Sequence, residues 1–431
     1  MKQIILILML TIVLLPSCKK DSGDNQTVTS EVVVIENAII NTPTTWYSNK
    51  KYLLKGFNYV DRTTLTIQPG TIIKGDKATK GSLIIKPGAK IIAEGTVTSP
   101  IVFTSNQPKG SRQPGDWGGV IILGNARVNK NPSVIEGENI TTFGGDNNSD
   151  NSGILKYVRI EFAGIPFETD KEINGLTLAG VGSNTIIDYV QVSHSGDDSF
   201  EWFGGTVNAS HLIAYSGVDD DFDSDNGYSG LVQYGLALRN PVIADQCSCS
   251  TSNGIESDND GSGSAATPQT SAKFANLSFI LGEGPVNAKY NSAIQIRRNS
   301  GINIYNSLVI GAFNNAGLEI KDASTQSNYT SGLCQIRGLA LLNQASPTKG
   351  VDGTIFSNNN NFTNWTLTSL GLNSNFNNLI TPVLLPASNS LLLNSGVTLP
   401  SGFQNNSIVG AFGSQDWTSG WANFDPQNVS Y

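Results

Sequence analysis

The sequence has 431 residues, of which 14% are charged and 45 are glycine, and its formal net charge is −8 with a pI near 4.9. Such a chain suffices for one large domain or two ordinary ones. Abundant Gly, Asn, Ser and Thr favour short strands joined by turns over helices. The acidic balance argues against nucleic acid and against anionic membrane surfaces as partners, and it permits divalent cations and neutral or cationic ligands.

Residues 1–18 are typical of an export signal. Lys2 precedes an apolar run from Ile4 to Leu15, which is shorter than the roughly 20 residues of a membrane-spanning helix. The run ends in Leu15-Pro16-Ser17-Cys18, which resembles a bacterial lipobox. We therefore expect lipidation at Cys18 and anchoring through lipid alone. The alternative is an ordinary cleaved signal with an unrelated cysteine.

Residues 19–30 are polar and lack aromatic side chains, which predicts a flexible tether. Two lysines followed by Asp21 and Asp24 resemble the surface-export tags of Bacteroidetes lipoproteins. The expected location is the outer membrane, with the protein exposed at the cell surface.

A repeated phrase marks the next segment. Residues 65–75, ending in Gln-Pro-Gly-Thr-Ile-Ile-Lys-Gly, recur in residues 83–95 as Leu-Ile-Ile-Lys-Pro-Gly-Ala-Lys-Ile-Ile-Ala-Glu-Gly. Short strands that repeat about every twenty residues with Gly or Pro-Gly turns are typical of a β-solenoid. The phrase resembles the opening coils of pectate-lyase-like proteins. We predict an all-β, right-handed parallel β-helix over residues 31–378, present as a monomer.

The middle of the chain repeats in another form. The segment from Tyr157 to Gly164 returns from Tyr189 to Gly196, and most such segments precede a second strand that starts with an apolar residue and then a polar one. Loops at 239–252 and 261–290 account for the longer spacings. The apolar–polar pairs are Leu176-Thr177, Phe200-Glu201, Phe222-Asp223, Ile255-Glu256, Ile294-Gln295 and Leu318-Glu319.

Residues 379–431 lack a clear coil period and concentrate aromatic residues and glycine towards their end. Because an open β-helix end exposes strand edges and core, we predict that this segment caps the end. The alternative for Trp417 and Trp421 is carbohydrate binding.

If the apolar residue of each pair points inward, the residues one and three places later form two outward columns. Carboxylates on coils about 4.8 Å apart repel one another, so a cation, raised pKa values or the basic Arg297 and Lys321 should offset the repulsion. Oxygen ligands in this number suit Ca²⁺. The predicted ligands are drawn from Asp197, Asp198, Glu201, Asp219, Asp220, Asp223, Asp225, Glu256 and Asp258.

Three interpretations of this patch remain open. In the first, Ca²⁺ or Asn and Asp turns stiffen the coils; in the second, Trp202, Phe203 and Tyr228 help to bind a glycan or a protein. In the third, the patch cleaves a polysaccharide, with Asp197, Asp198, Asp223 and Arg297 as the catalytic candidates and Arg297 as the base.

The third interpretation follows from a resemblance. Pectate-lyase-like enzymes place Ca²⁺-binding acids and a basic residue on neighbouring coils, and related glycosidases carry a Gly-Asp-Asp phrase like Gly196-Asp197-Asp198. Their Gly-His-Gly turn and Arg-Ile-Lys strand are missing here. The chain also resembles Bacteroidetes envelope lipoproteins with phrases like Gly115-Asp-Trp-Gly-Gly119 and residues 197–205, which implies fold and location but no activity.

Of the four cysteines, Cys247 and Cys249 lie close together and Cys334 is distant. A disulfide between Cys334 and one of the pair suits an oxidising envelope, and scattered cysteines that form no site are the alternative. We expect a surface lipoprotein that binds or scaffolds, with a glycan or an outer-membrane protein as ligand.

Overall fold

The computed structural model describes residues 31–130, 133–134, 141–168, 171–247 and 250–431. Cys18 and the predicted tether lie outside these residues. Glu31–Tyr431 forms one compact unit, in which short strands stack as a right-handed parallel β-helix, and this confirms the predicted fold class. No helix among the described residues is long and apolar enough to span a membrane.

The strands of the first coils are mostly four to six residues long. They are β1 (Glu31–Glu36), β2 (Ile39–Ile40), β3 (Thr44–Trp46), β4 (Lys50–Lys55), β5 (Phe57–Val60), β6 (Thr64–Ile67), β7 (Ile72–Gly75), β8 (Ser82–Ile85), β9 (Lys90–Glu94), β10 (Ile101–Ser105) and β11 (Gly119–Leu123).

The middle coils alternate long and short strands. They are β12 (Gly153–Glu161), β13 (Pro166–Glu168), β14 (Lys171–Glu172), β15 (Leu176–Ala179), β16 (Ile186–Ser193), β17 (Phe200–Phe203), β18 (Asn208–Tyr215), β19 (Phe222–Asp225), β20 (Leu231–Arg239), β21 (Ile255–Ser257), β22 (Lys273–Leu281) and β23 (Ser292–Ile296).

The last coils bring the helices. Their elements are β24 (Asn303–Tyr305), β25 (Leu308–Ile310), β26 (Ala316–Ile320), α1 (Ala323–Thr330), β27 (Ile336–Arg337), β28 (Ala340–Leu342), β29 (Thr348–Lys349), α2 (Gly353–Asn358) and α3 (Leu367–Leu370). Two short 3-10 turns follow at Leu391–Leu393 and Pro426–Asn428.

Two large parallel sheets form the walls. The eleven-stranded sheet runs β2-β5-β8-β11-β15-β17-β19-β21-β23-β26-β29. The sixteen-stranded sheet, here called the bent sheet, turns a corner inside its long strands, so that β12 pairs with β9 before the corner and with β10 after it.

The corner of the bent sheet is built from stacked rings. Tyr157, Tyr189, His211 and Tyr234 occupy it on successive coils, each with a positive φ between 48° and 61°. Such a φ strains a bulky residue. The ring centroids lie 4.5, 4.2 and 5.0 Å apart along the column, so stacking offsets part of that strain.

The outer face of the bent sheet is apolar as well as the inner one. Ile213, Leu236 and Leu238 point away from the main core and yet have no exposed surface. Residues 379–431 cover them, with Phe412 and Trp421 in the same cluster. Residues 379–431 therefore form a strap along the side of the β-helix and not the predicted end cap. Strands that carry apolar side chains on both faces need a cover on their outer face.

The strap is fixed at its far end by polar contacts. The Arg112 guanidinium donates to the carbonyls of Pro426 (2.7 Å) and Val429 (3.0 Å), and the Tyr431 hydroxyl donates to Glu161 (2.6 Å). At the last coils, Phe356 of α2 packs into the main core instead.

The cysteines do not pair as predicted. Cys334 is a buried free thiol, whereas Cys247 is disulfide-bonded, so a link from Cys334 to Cys247 is wrong. Cys249 lies outside the described residues.

Candidate functional site

The strand register sets the acidic columns. In the eleven-stranded sheet, Phe200 pairs with Phe222 and Phe222 with Ile255, and all three side chains are fully buried in the core. The residues that follow them are therefore neighbours on the outer face, which confirms the predicted alignment. The first column is Thr177, Glu201, Asp223, Glu256, Gln295 and Glu319.

The outer face is not open to solvent along its whole length. Glu201 is 9% exposed and Asp258 is 5% exposed. Near β17, Phe203 packs on Phe143, which belongs to the loop that follows β11. The columns are thus sheltered carboxylates rather than a solvated acidic surface, which makes their charge costly.

Two aspartate-rich turns bring further carboxylates to the first column. Oxygens of Asp197, Asp198 and Asp219 all lie within 4.8 Å of one another, and so do oxygens of Asp198, Glu201 and Asp223. We call these five residues the acidic cluster, with Asp198 common to both groups. Oxygens that bind one Ca²⁺ at about 2.3–2.6 Å lie at most about 5.2 Å apart, so the spacing fits this ion.

One buried oxygen of the acidic cluster and one beside it have no hydrogen-bond donor among the described residues. They are Oδ1 of Asp223 and Oδ1 of Asn174, whose amide nitrogen donates to Glu201. Asn174 is only 3% exposed. A buried oxygen without a donor is costly, and a cation is one group that satisfies it.

Asp220 connects neighbouring coils through hydrogen bonds. Its backbone N–H donates to Oδ1 of Asp198 (2.8 Å), its own Oδ1 accepts from the amide of Asn253 (3.0 Å), and Oδ1 of Asn253 accepts from the N–H of Ser292 (3.2 Å). These residues link successive coils as a ladder. The sequence analysis missed Asn174 and Asn253, although both stand in an Asn-Gly-apolar phrase two places before an inward residue.

Arginines lie against Glu256 and Asp258. Arg297 pairs with Glu256 and, through Nε, with Asp258 at 2.9 Å, and Arg298 reaches Asp258 at 2.7 Å. These two acids and Asp225 lie outside the acidic cluster. Arg297 is therefore the basic group that offsets the repulsion, as one of the predicted alternatives had it.

Burial dominates the ionisation of the sheltered acids. Burial first, and then the charge of Asp197, raises the pKa of Asp198 well above its usual range; burial, followed by Glu256, does the same for Asp223. Burial raises the pKa of Glu256 to about 8 although Arg297 opposes the shift. Burial also raises the pKa of Asp225 to about 7. Protons or a cation must therefore accompany these carboxyls at neutral pH.

A family model described as "Pectate-lyase like beta helix domain" matches residues 38–422. The chain belongs to the pectate-lyase-like β-helix family. No curated protein and no solved structure matched it. Membership of this family fixes the fold, and any activity has to be argued from the site.

The predicted role of Arg297 as a base depends on the charge state of its guanidinium in this pectate-lyase-like chain. Burial lowers the pKa of the Arg297 guanidinium, but the charges of Glu256 and Asp258 outweigh burial and raise it. A guanidinium held in its cationic form is a poor proton acceptor, so these ion pairs disfavour Arg297 as a base, and that role stays a prediction.

The aromatic residues predicted to bind a ligand are buried in this pectate-lyase-like chain and not available to one. Trp202 and Tyr228 have no exposed surface and stack on each other in the core, 5.3 Å apart, and Phe203 is 8% exposed. Trp202 shares the inward face with Phe200, as the two-residue period requires. Trp421 is 1% exposed in the strap, which excludes the sugar-binding alternative for this residue.

Proposed function

We propose that this pectate-lyase-like chain is a lipid-anchored outer-membrane protein of the cell surface that binds or scaffolds and is stabilised by Ca²⁺. Its ligand is a glycan or a neighbouring envelope protein. The acidic cluster, in which two groups of three carboxylates share Asp198, is the observation that supports Ca²⁺ binding. The lipobox at Cys18 supports the anchor, and phrases shared with Bacteroidetes lipoproteins support the location.

The stiff parallel sheet supports a structural role for the ion. Glu201 and Asp223 stand on strands that pair on both edges, so these two ligands are held in place before binding, and the turns before these strands supply Asp197, Asp198 and Asp219. A cation between coils would replace repulsion by attraction, and it would do so where Oδ1 of Asp223 lacks a donor among the described residues.

The test is calcium titration by isothermal calorimetry. We expect saturable binding that Asp198→Asn weakens by roughly ten-fold or more, because Asp198 belongs to both groups. Asp225→Asn is the matched control, since it removes the same charge outside the acidic cluster and should change affinity less than about three-fold. No heat of binding, or equal losses in both variants, would contradict the calcium proposal.

The second candidate is a polysaccharide lyase or hydrolase. A cavity of about 460 Å³ lined by Lys130, Phe203, Asp225 and Asp260 favours it, because this cavity opens beside the second outward column. Incubation with acidic and neutral polysaccharides, with and without Ca²⁺, should yield no new reducing ends or unsaturated products if the binding role is correct. Turnover that disappears in Asp223→Asn would overturn that role.

A further inference from the structure

The outer face of the first coils mixes apolar and cationic side chains. The parallel register places Val32 beside Lys51 and Ile72 in one row, and Val34 beside Leu53 and Lys74 in the next. All six alternate with inward residues such as Tyr52 and Leu54, which are buried. We call this surface the basal patch: Val32, Val34, Lys51, Leu53, Ile72 and Lys74.

The two valines of the basal patch are exposed and its other four residues are half-buried, whereas the same face of later coils is buried. Val32 is 57% exposed and Val34 is 49% exposed, and both stand on β1, the edge strand of the bent sheet. The strap, which covers this face further along, makes its contacts near Arg112 and Glu161. The preceding residues 19–30 are polar and include Asp21 and Asp24, so they are poorly suited to cover valines.

Charge is divided sharply along the chain. Residues 31–130 carry 13 Lys and Arg against 6 Asp and Glu, whereas residues 131–431 carry 11 against 27. The net charge of −8, which argues against anionic membranes, hides this division. Burial and then the charges of Lys51 and Arg112 lower the pKa of Lys74, so the cations of this region stand close together. A surface with such neighbours attracts anions.

We propose that the basal patch rests on a membrane surface rich in anionic phospholipid headgroups, with valines at the headgroup boundary and lysines on the phosphates. Mixed apolar and basic surfaces bind such interfaces through burial of apolar side chains and through attraction to the anionic headgroups. Twelve residues separate Cys18 from Glu31, so the proposed lipid anchor would hold this patch near the bilayer. The nearness of the patch to the bilayer rests on the proposed function; the composition of the patch does not.

The test uses residues 31–431, which form one compact unit and lack Cys18, so its outcome is independent of lipidation. Co-sedimentation is measured with vesicles of phosphatidylcholine alone and of phosphatidylcholine with phosphatidylglycerol. We expect at least about ten-fold stronger partitioning to the anionic vesicles, lost at high salt. Lys51→Glu with Lys74→Glu should weaken it by about five-fold per lysine or more.

The matched control is Lys273→Glu with Lys321→Glu, which makes the same charge change on distant coils and should leave partitioning unchanged within about two-fold. Circular dichroism melts verify that both variants fold. Equal binding to neutral vesicles, or equal losses in both variants, would overturn the proposal. So would patch-dependent dimers in light scattering without vesicle binding, or binding to a soluble acidic polysaccharide alone.

Discussion

Raising the pH in the presence of a chelator should destabilise this protein. The native pKa values of Asp221 and Asp225 are raised to about 7 and that of Glu256 to about 8, in each case chiefly by burial. Unfolding returns these groups to ordinary values near 4. Between about pH 4 and about pH 7 the native state therefore binds more protons than the unfolded state, and stability falls as pH rises.

The size of the loss follows from one group. Asp225 lies outside the arginine pairs, and the shift of its pKa by about three units corresponds to about 4 kcal/mol. Three such penalties would approach the whole free energy of unfolding of a domain, which is about 5–15 kcal/mol. Structural relaxation must therefore limit the total, and we expect the free energy of unfolding to fall by about 4 kcal/mol. With an unfolding entropy of about 2.1 cal/mol/K per residue, about 400 residues would lose about 5 °C in Tm.

The assay is thermal unfolding followed by circular dichroism from about pH 4 to about pH 8, with chelator or with millimolar Ca²⁺. Ca²⁺ at a hundred times its Kd should add about 2.7 kcal/mol at the upper pH and less at the lower pH, where protons compete for the carboxylates. A Tm that stays constant or rises with pH in chelator would refute the electrostatic reasoning. An equal effect of Ca²⁺ at both pH values would refute its link to the acidic cluster.

Three further outcomes are expected. Trp421→Ala should cost about 3–5 kcal/mol in urea unfolding, because this indole is 1% exposed and packs edge-on against Tyr157 and Tyr189; an unchanged midpoint would contradict the strap. The thiol of Cys334, which is 1% exposed and has a pKa raised by burial to about 12, should react with a thiol reagent only after unfolding, and rapid reaction in the native state would contradict its burial. Cys18→Ala should move the protein from the membrane to the soluble fraction, and retention at the membrane would count against lipidation.

The coil register could be predicted because its signal is local. Each inward residue such as Phe200 or Phe222 is followed at once by an outward polar one, and a slip of one place would have buried the charges in the core. The strap could not be predicted in the same way. Strands such as β20 carry apolar side chains on both faces, and this pattern does not say which segment of the chain covers the outer one.

The assignment of individual acids needed the three-dimensional contacts. Glu201 and Glu256 occupy equivalent places two coils apart, yet Glu256 pairs with Arg297 while Glu201 accepts from Asn174. Arg297 comes from a later coil, and its reach depends on side-chain direction rather than on spacing in the sequence. The sequence therefore gives the column, and only the packing distinguishes a neutralised carboxylate from a cluster ligand.

Stacking equivalent positions forces carboxylates together, and outside the acidic cluster this chain relieves the repulsion in two ways. Oδ1 of Asp220 accepts a hydrogen bond from Asn253, and the two oxygens of Asp258 pair with Arg297 and Arg298. The acidic cluster has neither of these arrangements in full, because Oδ1 of Asp223 is buried without a donor among the described residues. Because hydrogen bonds and arginines already serve the neighbouring positions, the cluster is the place on this sheet where a divalent cation would contribute most to stability.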